Sequence, residues 1–124
     1  MSSHLAYVVG AGCMSLGQLN LARDYALEGL ERDPKHLALM LLAADIRLRS
    51  NDPAGAESLL RRALEERTND PVVQLDLAIV LREQGRGPDA DRMLRVLAAR
   101  GGHVAIADRA RRMLDDDVMV PDSL

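Results

Sequence analysis

"LGQLNLARDYALEGLERDP", residues 16–34, is the stretch whose reading decides the fold. It enters on Gly17, a residue able to take the left-handed backbone of a tight turn. It then sets Ala22, Ala26, Gly29 and Leu30 at the three- and four-residue spacing of an amphipathic helix. It leaves on Asp33-Pro34, a capping residue followed by the residue favoured at the first helical position. Turn, helix and the start of the next helix are all written in this one segment.

The same start signal returns at Asp52-Pro53, Asp70-Pro71 and Gly87-Pro88. The four prolines lie 19, 18 and 17 residues apart, room for one helix of about three to four turns and a short connection each time. Short connections make antiparallel helix pairs. Displaced by 34 residues, the chain matches itself: Gly17, Asn51 and Gly85 share a column, as do Ala22, Ala56 and Ala90. Gly10, Ala44 and Ala78 form a column of small residues that would let paired helices approach closely, with Val9, Ala43 and Leu77 beside it. Ala26, Leu60 and Leu94, then Gly29, Ala63 and Leu97, then Leu30, Leu64 and Ala98 continue the apolar stripe.

This pattern resembles the tetratricopeptide repeat, a helix-turn-helix unit of 34 residues. Gly17, Ala22, Leu30 and Pro34 stand where that family has its turn glycine, small second-helix residue, late apolar residue and closing proline. Three repeats follow, 3–36, 37–70 and 71–104. The family's aromatic positions hold Ala6, Met40 and Gln74, then Cys13, Arg47 and Leu81, and its closing proline gives way to Thr68 and Gly102. The resemblance implies an all-α, right-handed helical solenoid of three antiparallel helix pairs, forming a single domain over residues 1–118.

"VAIADRARRMLDDD", residues 104–117, reads as a seventh helix, which covers the last core face of such a solenoid. Ile106, Ala110, Met113 and Leu114 give it an apolar stripe over 104–116, and Arg111 with Asp115 and Arg112 with Asp116 are four apart on its outer side. The tail, 117–124, has no period and is expected to be disordered.

Composition agrees with helices and narrows function. The 124 residues include no Trp or Phe and two Tyr, and Leu, Ala and Arg dominate, all helix formers. A formal charge of −3 argues against binding nucleic acid through a general cationic surface. No run approaches the ~18 apolar residues of a membrane span. "VVGAGC", residues 8–13, lacks the basic lead of a lipoprotein signal. The lone Cys13 suits a reducing compartment, and a bacterial cytoplasmic protein is the expectation.

Chemistry-bearing residues are sparse. "AYVVGAGCMSLGQ", residues 6–18, has the first glycines of a dinucleotide loop, but position 15 is Ser where the third glycine belongs. The same letters read as a first repeat helix running into its turn. Cys13 sits on the inward column, and His4, His36 and His103 lie too far apart for a metal site. Asp115, Asp116 and Asp117 lack the spaced ligands of a calcium loop. In "LLRRALEER", residues 59–67, Glu65 and Glu66 interrupt Arg61, Arg62 and Arg67, which marks a solvated helix face. No catalytic signature, cofactor site or metal site is expected.

The resemblance also implies where a partner would bind. In the family, first helices line a concave surface holding an extended peptide or a helix. Carried over, that surface falls on His4, Tyr7, Val8, Ala11 and Met14 in the first repeat and on Ala38, Leu41, Leu42, Asp45, Leu48 and Arg49 in the second. In the third it falls on Val72, Leu75, Asp76, Ile79, Arg82 and Glu83. Tyr7, Ala11, Asp45, Val72 and Asp76 occupy the places where chaperone-binding members clamp a terminal carboxylate, and two acids there would repel one. An apolar peptide or amphipathic helix fits better, with Arg49 and Arg82 steering acids at the rim. The expected function is a non-enzymatic adaptor with a protein partner. The alternative is a structural homo-oligomer, a homodimer meeting through Leu5, Val8 and Gly12 of the uncovered first helix.

Overall fold

Among the described residues the chain forms seven helices: α1 (Ser3–Ser15), α2 (Leu19–Arg32), α3 (Leu37–Arg49), α4 (Pro53–Glu66), α5 (Pro71–Glu83), α6 (Gly87–Ala99) and α7 (Val104–Val118). The computed structural model describes residues 1–100 and 103–118, and no strand occurs among them. The fold is all-α, as the helix-forming composition and the period required. Contacts gather the helices into two compact units, one spanning Met1–Thr68 with α1 to α4 and a second beginning at Asn69 with α5 to α7.

The ends of α1, α3 and α5 are one motif used three times. Gly17, Asn51 and Gly85 have φ of 78°, 64° and 76°, the left-handed backbone that the self-matching column demanded. At each end two backbone bonds close the helix. Gln18 N–H donates to the Cys13 carbonyl at 2.9 Å and Gly17 N–H to Met14 at 3.0 Å. Asp52 and Asn51 repeat this onto Arg47 and Leu48, and Arg86 and Gly85 onto Leu81 and Arg82. This is the Schellman arrangement, which satisfies carbonyls that a helix end leaves without partners.

The starts follow the proline signal in two cases of four. Asp52 accepts from Gly55 N–H and opens α4. Asp70 accepts from Val72 and Val73 N–H and opens α5. Asp33-Pro34 is a correction, because α3 begins three residues later at Leu37. His36 N–H donates to the Asp33 carbonyl at 3.1 Å, closing a tight turn in which Pro34 takes the second place that suits its fixed φ. His36 then caps α3, its Nδ1 accepting from Leu39 N–H at 3.2 Å. Gly87 is likewise inside α6 instead of capping it, with Arg86 at the cap.

In the first unit the small columns set the spacing of the pairs. Ala6, Ala22 and Ala56 are completely buried, and Gly10 and Gly29 are buried too. A Cβ on Gly29 would lie 2.7 Å from Leu39 Cδ1 and 3.0 Å from Ala6 Cβ, so hydrogen at that position is what permits the approach. Cys13, Ala26, Leu39, Leu42 and Ile46 form the core, with Tyr7 and Tyr25 packed at its edge. Arg47 is a correction to the inward column it shares with Cys13 and Leu81. Its side chain is 43% exposed and pairs with Asp52.

In the second unit Leu77, Leu81, Leu94 and Leu97 are buried, and Arg100 donates to Gln74 Oε1 at 2.6 Å where the family has an aromatic residue. Helix α7 packs on α6 and touches α5. Two arginines fasten it: Arg82 donates to the Met113 carbonyl at 2.7 Å and Arg111 to the Ala98 carbonyl at 2.8 Å. Arg111 pairs with Asp108, three residues earlier, and not with Asp115. An acid on the N-terminal side of its cation is the better orientation on a helix. Helix α7 runs to Val118, two residues into the stretch expected as a disordered tail. The rest of that tail, and Gly102 at the closing position of the third repeat, lie outside the described residues.

Candidate functional site

The segment that carried the partial nucleotide signature is helical throughout: Gly10 and Gly12 both fall inside α1, with no strand before them. Gly10 is buried, and a Cβ there would meet Leu42 Cδ2 at 3.2 Å. Its glycine therefore serves helix packing. Among the described residues no group of three or more His, Cys, Asp or Glu is placed to hold a metal, and no helix is long and apolar enough to cross a membrane.

The expected binding residues divide by exposure. On α1, Val8 is 50% exposed. Tyr7 is half-buried, its ring stacked on His36 at a centroid distance of 6.4 Å, and Met14 leans on the core of the first unit. On α3, Leu41 and Leu48 are half-buried, while Asp45 and Arg49 form an ion pair at 3.2 Å along the same face. Helices α1 and α3 pack on each other, so these two stripes belong to neighbouring elements. On α5, Asp76 and Ile79 are half-buried.

Three residues are committed elsewhere. Leu42 lies in the core, where it meets Gly10. Leu75 is 5% exposed and has little side chain to offer a partner. Arg82, expected at the rim, reaches the Met113 carbonyl and lies 3.6 Å from Asp91, so it acts as a tie between α5, α6 and α7.

The first unit also contains a feature that the sequence reading passed over. A cleft of about 490 Å³ lies between α2 and α4 with α3 beneath it. Ala26, Leu30, Ala43, Ile46 and Leu59 line it, with Arg23, Arg47, Arg62 and Glu31 around the edge. Taking α3 at 100° per residue, Leu41, Asp45 and Leu48 point one way and Ala43, Ile46 and Arg47 the opposite way. One helix therefore serves two separate surfaces.

A family model for the tetratricopeptide repeat matches residues 14–74 and again 47–114. No curated protein matches the chain.

Proposed function

The chain belongs to the tetratricopeptide repeat family, and on that premise we propose that Val8 of α1 and Leu41, Asp45, Leu48 and Arg49 of α3 receive an apolar peptide or an amphipathic helix from a partner protein. The family's repeats are interaction modules, which makes the chain a protein-binding element in kind. The observation carrying the finer reading is the α3 stripe itself. Leu41 and Leu48 stay partly open to solvent on either side of an ion pair, and α1 brings a half-exposed valine to the neighbouring element. A solvated helix face has no need of two leucines, whereas an anchor surface does. In this reading Tyr7 and Met14 support the stripe from the core side, Asp76 and Ile79 of α5 are the partner-contacting residues of the second unit, and the chain works as a non-enzymatic adaptor in the cytoplasm.

The test is affinity capture with a Val8→Glu, Arg49→Glu double variant whose helicity matches the wild type. Loss of a specific partner from the variant supports the assignment, and full retention moves binding to another surface.

Self-association is the second reading, and one observation favours it. Leu5, Val8 and Gly12 are all exposed at helical spacing on α1, and Leu16 just beyond is 77% exposed. A mass that rises with concentration and falls back in Leu5→Glu would move this reading ahead.

A further inference from the structure

The cleft of the first unit combines two properties. Its floor is apolar across three helices, from Leu30 of α2 through Ile46 of α3 to Leu59 of α4, and Leu27 stands at its edge 44% exposed. Its rim carries Arg23 and Arg62 against Glu31, with Arg47 already paired with Asp52. Arg23 is exposed and has no acid held against it among the described residues. Arg62 reaches the Pro34 carbonyl only at 3.4 Å, the long end of hydrogen bonding. Two guanidiniums thus stand over an apolar floor with capacity to spare.

We propose that this cleft is a second docking site, and that its occupant is an acidic amphipathic helix of a partner protein. The apolar side chains of that helix would rest on Leu30, Ile46 and Leu59, with its carboxylates toward Arg23 and Arg62. The shape suits a helix, because the cleft is only partly enclosed and follows α2. From Arg23 to Glu31 it runs eight residues of α2, about 12 Å at the helical rise, which matches two turns of a docked helix. The rim selects acidic chemistry, because each partner carboxylate placed there meets a guanidinium able to form paired bonds. A nucleic acid strand is disfavoured by Glu31 on the rim and by the absence of a stacking aromatic ring from the lining. The site lies on the opposite side of α3 from Leu41 and Leu48, so one partner leaves room for another.

The test uses the full chain labelled with nitrogen-15 and two synthetic helical peptides of about 18 residues, five turns. One carries a leucine stripe flanked by glutamates, and the other has lysines in place of the glutamates. The expected result is amide shifts at Leu27, Ser58 and Leu59 with the glutamate peptide alone. Arg23→Glu with Arg62→Glu should weaken that binding by about ten-fold, and Val8→Glu with Arg49→Glu should leave it unchanged. Leu27→Ser, at an exposed position, is the second variant and should also weaken it. The proposal is overturned by shifts confined to α1 and the Leu41 side of α3 that vanish in the Val8 and Arg49 variant, a result that supports the inner-face reading alone. Shifts that arise from raising the protein concentration without peptide would assign the cleft to a second copy. Silence of α2 and α4 at millimolar peptide would also overturn it.

Discussion

Arg47 donates to one carboxylate oxygen of Asp52 at 3.1 Å while the other oxygen accepts from the Gly55 N–H at 3.0 Å, so one side chain joins the end of α3 to the start of α4. In the helix-ending motif these two positions commonly carry a hydrophobic contact. Here the contact is an ion pair, and both partners are more than two-fifths exposed. The cap should therefore matter more than the charge. Asp52→Ala is expected to cost about 1 kcal/mol through the lost cap, and Arg47→Ala about 0–1 kcal/mol. Asp52→Asn should retain most of the stability. Urea midpoints of the three variants check the order, and the Arg47 effect should shrink in high salt.

Gly29 and Gly12 both lie inside helices, yet alanine should act on them in opposite directions. A Cβ on Gly29 meets Leu39, which is fully buried, and Ala6, whose Cβ cannot move without its helix. Gly29→Ala is expected to destabilise by about 1–3 kcal/mol as overpacking outweighs improved helix propensity. A Cβ on Gly12 meets nothing within 4 Å, so Gly12→Ala should stabilise by about 0.5–1 kcal/mol. Thermal melts of the pair read both signs.

The left-handed ends of α1, α3 and α5 allow a matched comparison. Gly17→Ala and Gly85→Ala should each cost roughly 1–2 kcal/mol, since nothing crowds the new methyl and only backbone strain remains. Asn51→Gly at φ 64° should be neutral or mildly stabilising. A denaturant series showing Asn51→Gly as the most harmful of the three would refute the strain account.

Removing Arg82 should loosen α7. Arg82→Ala deletes the bond to the Met113 carbonyl and the approach to Asp91, a loss of about 1–3 kcal/mol for a charged hydrogen bond in a partly buried setting. Amide exchange in α7 is expected to accelerate more than in α5 itself. Arg82→Lys should recover part of the protection.

Much of the architecture was legible because it depends on local rules. Left-handed backbone needs Gly or Asn, close helix pairs need Gly or Ala, and Asp before Pro caps a helix, so Gly17, Asn51, Gly85, Ala22 and Asp52 could be read without coordinates. The failures arose where one signal serves two geometries. Asp33-Pro34 fits a turn as well as a helix start, and only the His36 cap, an uncommon choice, distinguishes them. The binding residues were harder. A helical period tells which face is apolar but not what covers it, so Leu42 and Leu75 read as anchor residues when neighbours bury them. The cleft was missed for a related reason. Arg23, Leu27 and Arg62 look like a solvated outer surface until α2 and α4 are seen to frame a gap, and separation between helices that are not consecutive leaves no trace in either one's periodicity.

Tyr7 and Tyr25 both pack against the core of the first unit, and the chain has no Trp or Phe anywhere. Intrinsic ultraviolet emission therefore originates entirely within residues 1–68, while helical circular dichroism draws on all seven helices. The chain carries a built-in optical label on one half. Coincident melts by the two signals would mean the halves unfold as one cooperative body, and a dichroism loss that runs ahead of the emission change would mean that α5 to α7 melt first.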